Sequence, residues 1–244
     1  MAGVTRVKVC GLTRAEDVRL AAELGAWALG FVLTGSPRRV DAARARRLTA
    51  AARETGSAAA RTSARDASSP RATPLTVGVV ATESPSWIAA ALETSGLDAV
   101  QLSAGADGPA VAEVLAAARK DPRPLVIAAA DTPDASLADF TLLDARAPGA
   151  YGGTGLTLDW GALEDELATP RERLVLAGGL TPANAASAVR TLRPAAVDVC
   201  SGVESVPGVK DAELLHAFFA AVEHADKDAT DAAEPAASTR RTSA

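Results

Sequence analysis

One alternation constrains this chain more than any other feature. Short runs of apolar, mostly β-branched residues are separated, nearly end to end, by alanine-rich stretches of helical character. The runs predict strands over residues 7–10, 28–33, 75–80, 99–102, 125–129, 140–144, 174–177 and 196–199. Strand followed by helix, repeated this way, calls for a parallel sheet covered by helices. Closure into a single (β/α)₈ barrel is the economical arrangement. An open doubly wound sheet is the alternative.

Several helix boundaries carry local signals. Thr13 with Glu16 predicts a capping box ahead of "DVRLAAELG", which stops at Gly25. Asp41 is placed to cap "AARARRLTAAAR", and Thr181 followed by Pro182 predicts proline at the first position of "PANAASAVRTL". Two stretches fall outside the pattern. The segment "ETGSAAARTSARDASSPRAT", from Glu54 to Thr73, is small, polar and aperiodic, and the chain from Ala225 onward reads as a disordered tail. The expected organisation is one barrel domain over residues 1–224, with a flexible insertion at about 54–74 and a tail over 225–244.

Composition narrows the function classes. The 244 residues carry a net charge of −5 with no basic block, which argues against nucleic acid or an anionic membrane as main partner. Small phosphorylated ligands remain open, because backbone amides hold them without net positive charge. The start, "MAGVTRVKVCG", has no signal-peptide pattern, and no apolar run reaches spanning length. The two cysteines, Cys10 and Cys200, make no disulfide framework. A cytoplasmic protein, monomeric or homodimeric, is expected.

In barrels of this kind chemistry gathers at the C-terminal ends of the strands. Those ends carry Cys10, then Arg38 in the second loop, Gln101 and Ser103, Asp144, Gly178–Gly179, and Asp198 to Gly202. Cys10 reads either as a small buried hydrophobe or as a nucleophile or general base. Asp144, closing "FTLLDA", is either a loop cap or a proton donor. The glycine-rich turns "YGGTGLTLDW", "LAGGLTPAN" and "DVCSGVES" match the phosphate site of such barrels, which lies after strands seven and eight. No metal is expected, since there is no CxxC pair and both histidines, His216 and His224, lie in the C-terminal helical stretch. Side chains alternate along a strand, so Lys8 and Cys10 share a face, as do Asp198 and Cys200. Strands one and eight are neighbours in a closed barrel. Lys8 and Asp198 should therefore pair inside it, and Cys10 should lie near Cys200.

The blocks "VKVCGLT", "ALGFVLTGSPRRV", "LLDA", "GGTGLTLDW", "LAGGLTPANAASAV" and "VDVCSGVESVPGVKD", in this order and spacing, resemble the phosphoribosylanthranilate isomerases of tryptophan biosynthesis. That resemblance implies an Amadori rearrangement of a phosphoribosyl substrate, without cofactor or metal. It implies Cys10 as general base and Asp144 as general acid. Arg38 would lie at the anthranilate carboxylate, Asp198 at the sugar, and the amides of Gly178, Gly179, Ser201 and Gly202 at the phosphate. The chain departs from the family pattern in three places: Ser103 stands where histidine is usual, Leu156 where lysine is common, and Cys200 where serine is usual. A non-catalytic or substrate-shifted phosphosugar-binding barrel is the alternative that the first two departures raise. An indole-glycerol-phosphate synthase would need a catalytic lysine and glutamate set, and a ribulose-phosphate epimerase metal-binding histidines, at strand ends that lack them.

Overall fold

The eight apolar runs form eight strands in the computed structural model, which describes residues 4–62, 73–118, 121–144 and 169–233. They are β1 (Arg6–Val9), β2 (Ala28–Val32), β3 (Leu75–Val80), β4 (Ala99–Leu102), β5 (Leu125–Ala129), β6 (Phe140–Asp144), β7 (Leu174–Ala177) and β8 (Ala196–Val199). All pair in parallel, each with its chain neighbour, and β1 closes on β8. The barrel is therefore closed. A doubly wound sheet would leave two free edges and a strand order that reverses, and neither occurs.

Outside the barrel lie α1 (Ala15–Glu23), α2 (Ala42–Thr62), α3 (Pro85–Ser95), α4 (Val111–Ala117), α5 (Ala185–Leu192) and α6 (Ala212–Ala233). A two-stranded antiparallel hairpin, β9 (Glu204–Val206) with β10 (Val209–Lys210), follows β8. Alternation along each strand divides the core in two. Outward-facing residues such as Val9, Leu29, Phe31, Val100, Leu176 and Val199 pack beneath the helices. Inward-facing residues, among them Ala28, Val77, Ile127, Leu142 and Val175, fill the barrel. Its floor is closed by Arg6, whose guanidinium lies 4.6 Å from the Trp27 ring centre and 4.9 Å from that of Phe140. No helix among the described residues is long and apolar enough to cross a membrane.

Helix starts follow local signals only where no other partner competes. The Asp41 carboxylate accepts from the Arg44 amide at 2.6 Å, the cap its position predicts. Thr13 does not cap α1. Its hydroxyl donates instead to the Gly208 carbonyl, 2.6 Å away on the β9–β10 turn, and Arg14 becomes the N-cap without a side-chain bond. α5 begins at Ala185, a turn later than the Thr181–Pro182 signal. The Asn184 side chain accepts from the Thr181 amide and donates to the Gly179 carbonyl, which holds residues 181–184 as a turn.

Two expected boundaries also shift. α2 continues to Thr62, into the stretch read as an insertion; residues 63–72 lie outside the described residues. α6 continues to Ala233, past the point where the tail should begin. Ala225 is fully buried, and Asp226 accepts from both the amide and the hydroxyl of Thr5 at 2.7 Å. Replacing Asp226 by alanine should therefore lower the unfolding free energy by about 1–3 kcal/mol in a denaturant titration. An unchanged midpoint and slope would show that the helix end does not hold the N-terminus.

Candidate active site

The register of β1 against β8 builds the centre of the site. Lys8 stands opposite Asp198 in the ladder, and the Cys10 amide continues it by donating to the Val199 carbonyl at 2.8 Å. Lys8 Nζ lies 2.9 Å from Asp198 Oδ2, with the lysine side chain fully buried and the aspartate nearly so. The ion pair foreseen from side-chain alternation is present. Burial works to lower the Lys8 pKa, and the charge of Asp198 overcomes it and raises it. Burial pushes Asp198 up to about 7 against the pull of Lys8, and the neighbouring Cys10 charge adds to the rise. Two acidic groups thus share one buried ammonium.

Cys10 is one of those two. It packs with Val32, Val79 and Cys200 in the uppermost layer of the barrel interior. A hydrogen bond from the Cys200 thiol, opposed by burial and reinforced by the charges of Lys8 and Lys210, holds the Cys10 thiol well below its ordinary value. The Cys200 thiol is correspondingly pushed up, first by that same bond and then by burial. Gly30 on β2 makes room for this cluster. A Cβ there would lie 2.9 Å from Cys10 Sγ and 3.2 Å from Lys8 Nζ.

A second cluster roofs the first. The Arg38 guanidinium grips Glu204 through Nε, at 2.9 Å and 3.0 Å to the two carboxylate oxygens, and through Nη2 at 2.6 Å. Glu204 also accepts from Lys210 Nζ at 2.9 Å, and both these side chains are almost wholly buried. Burial alone would raise the Glu204 carboxyl, but Arg38 and Lys210 hold it below the usual carboxylate range. Lys210 further donates to the Cys200 carbonyl at 2.9 Å, and its own amide donates to Asp17, which Arg14 clamps. Arg38 is thus braced from one side by the hairpin, and its Nη1 makes no hydrogen bond to the described residues. Glu204 and Lys210 escape a sequence reading, because their partners lie far away along the chain.

The remaining candidates sit around the same opening. Asp144 ends β6 and shares its inward parity with Phe140 and Leu142, both in the interior cluster. It is exposed, at the same end of the barrel as Cys10. Gly178 and Gly179 follow β7 with φ of 89° and 68°, conformations that favour glycine. Ser201 and Gly202 form a single 3₁₀ turn after β8. The two loops touch: a Cβ on Gly202 would run into the Leu180 carbonyl. Gln101 donates to the Ser103 hydroxyl at 3.0 Å. Its Oε1 and Asp198 Oδ1 are buried without a hydrogen-bond partner among the described residues. The "YGGTGLTLDW" turn, with Leu156, lies outside the described residues.

A closed (β/α)₈ barrel with a thiol, a carboxylate and two apposed glycine loops at its C-terminal mouth belongs to the barrel enzymes. Residues 51–221 match the family model described as N-(5'phosphoribosyl)anthranilate (PRA) isomerase. An N-(5'-phosphoribosyl)anthranilate isomerase of Acidithiobacillus ferrooxidans is 38% identical over 228 residues, covering 90% of this chain and 98% of that one. The solved structure of TrpF from Jonesia denitrificans superposes with a TM-score of 0.70 at 35% identity, covering 91% of this chain and 98% of that one. Another solved phosphoribosyl anthranilate isomerase, in complex with reduced 1-(o-carboxyphenylamino)-1-deoxyribulose 5-phosphate, has a TM-score of 0.63 at 30% identity, covering 90% of this chain and 99% of that one. The chain belongs to the phosphoribosylanthranilate isomerase family.

Gly30→Ala tests the packing of the site. The added methyl must displace Cys10 or Lys8, so kcat should fall by roughly tenfold to a hundredfold. Circular dichroism should report an intact barrel. Full activity in that variant would mean that the thiol tolerates displacement and is not positioned by this contact.

Proposed function

We propose that this chain catalyses the Amadori rearrangement of N-(5-phosphoribosyl)anthranilate to 1-(2-carboxyphenylamino)-1-deoxyribulose 5-phosphate in tryptophan biosynthesis, with Asp144 as general acid and Cys10 as general base. Family membership supports the reaction. Support for the mechanism comes from one observation above all: an inward-facing thiol, held below its ordinary pKa, on the strand that neighbours the β8 phosphate loop.

The chemistry needs a proton delivered at one atom and removed at another. Asp144 protonates the furanose ring oxygen as the C1′–O bond breaks and the amine nitrogen forms a Schiff base. The Cys10 thiolate then takes the proton from C2′, whose acidity the iminium has raised, and an enolamine results. Gain of a proton at C1′ and loss of one from the 2′-hydroxyl give the ketone. Protons only move, so no redox group is required.

The surrounding residues position the substrate. The amides of Gly178, Gly179, Ser201 and Gly202 hold the phosphate, remote from the reacting carbons, near the start of α5. Asp198 Oδ1, buried and unpartnered among the described residues, accepts from a sugar hydroxyl. Arg38, fixed by Glu204, presents Nη1 to the anthranilate carboxylate.

The test is rescue of a tryptophan auxotroph that lacks the isomerase. The wild-type chain should restore growth, and Cys10→Ser and Asp144→Asn should not, each losing on the order of a hundredfold or more in turnover. Equal growth with all three would remove the mechanism and leave the fold.

A further inference from the structure

The chain has two cysteines, 190 positions apart, and barrel closure sets them side by side. We propose that Cys10 and Cys200 form a modification site, oxidised by small hydroperoxides to a disulfide that joins the first strand of the barrel to the last.

The backbone geometry already suits the bond. Val9 pairs with Val199, and the Cys10 amide carries the ladder one residue further. The two cysteine Cα atoms therefore stand about one strand spacing apart, about 4.8 Å, inside the range of about 4.4–6.8 Å that disulfides span. Parity turns both side chains the same way. Cys200 packs against the cluster that holds Cys10. Both are free thiols.

Their surroundings divide the chemistry between them. Cys10 lies beside the Lys8 ammonium, and Lys210 Nζ lies 3.9 Å from the Cys200 sulfur. The Cys10 thiolate is the attacking group. It attacks the terminal oxygen of the hydroperoxide: an S–O bond forms, the O–O bond breaks, sulfur is oxidised to the sulfenic acid, and the hydroxide or alkoxide that leaves takes a proton from solvent at the mouth to become water or an alcohol. The Cys200 sulfur then attacks Cys10 sulfur. An S–S bond forms, the S–O bond breaks, and water departs with the Cys200 proton. Cys200 is only partly buried, so a small oxidant reaches the pair from the mouth. A dithiol reverses the reaction by exchange. Loss of activity on oxidation is the consequence if Cys10 is the base, and that clause rests on the mechanism proposed above.

The experiment treats the full-length wild type and Cys200→Ser with hydrogen peroxide, scoring each against its own untreated sample. Wild type should lose about 2 Da and yield a linked peptide pair containing both cysteines. Its isomerase activity should fall at least tenfold or so and return with dithiothreitol. Cys200→Ser should instead gain oxygen at Cys10 and fail to recover. Oxygen gained in both proteins with no linked peptide, or no reaction in either, would overturn the proposal. A linked peptide with activity retained would support the site and sink Cys10 as the base.

Discussion

The buried ion pair of Lys8 with Asp198 is the constraint on which the rest of the site depends. Two ions have been taken out of water inside the barrel, 2.9 Å apart and with almost no solvent contact. Their attraction roughly offsets the desolvation cost, so an apolar pair of similar volume would stabilise the fold as well or better. Losing one partner is different, because a lone buried charge costs about 3–5 kcal/mol. The pair therefore specifies more than it stabilises. It fixes the register at the seam where the barrel closes, and it sets an ammonium directly below the Cys10 thiol.

From that seam the site grows in two directions. Inward parity carries Cys10 and Cys200 to the mouth, one residue beyond the paired Val9 and Val199. Beyond β8 the chain turns through Ser201–Gly202 and runs into the β9–β10 hairpin, which holds Glu204 and Lys210. The hairpin is stapled back onto the start of α1 by Thr13, Arg14 and Asp17. Arg38, arriving from the second loop, docks on Glu204 with an edge of its guanidinium left over. The charges are braced in alternation: Arg38, Glu204, Lys210. A carboxylate ligand meeting Nη1 finds an arginine whose ordering cost has already been met by the fold.

Much of the architecture was legible in the sequence because strands here are short, apolar and bounded by glycine or helix-forming stretches. All eight strands end within a residue of their pattern, and the Lys8–Asp198 pair followed from alternation alone once closure was assumed. Local capping signals were less informative. Thr13 had the right neighbours for a cap and found a stronger partner on a turn 195 residues away. Thr181 and Pro182 yielded to Asn184, which folds the loop onto itself. The tail boundary moved because alanine-rich sequence with spaced acids continues a helix once a distant threonine supplies a partner for Asp226. Glu204 and Lys210 were invisible for the same reason as Thr13: an ion pair across the fold leaves no mark on the residues beside it.

The central claim is that the fold itself, through Lys8, Lys210 and the Cys200 hydrogen bond, keeps Cys10 ionised. The most direct measurement is a pH titration of thiolate ultraviolet absorbance in the wild type, with Cys10→Ser as the reference that assigns the signal. A depressed pKa means that the thiolate persists through neutral pH and is lost only as pH falls well below the ordinary thiol value of about 8.5. The account predicts a difference spectrum already at full amplitude at neutral pH. Amplitude that appears only as pH rises through the ordinary thiol range would contradict it.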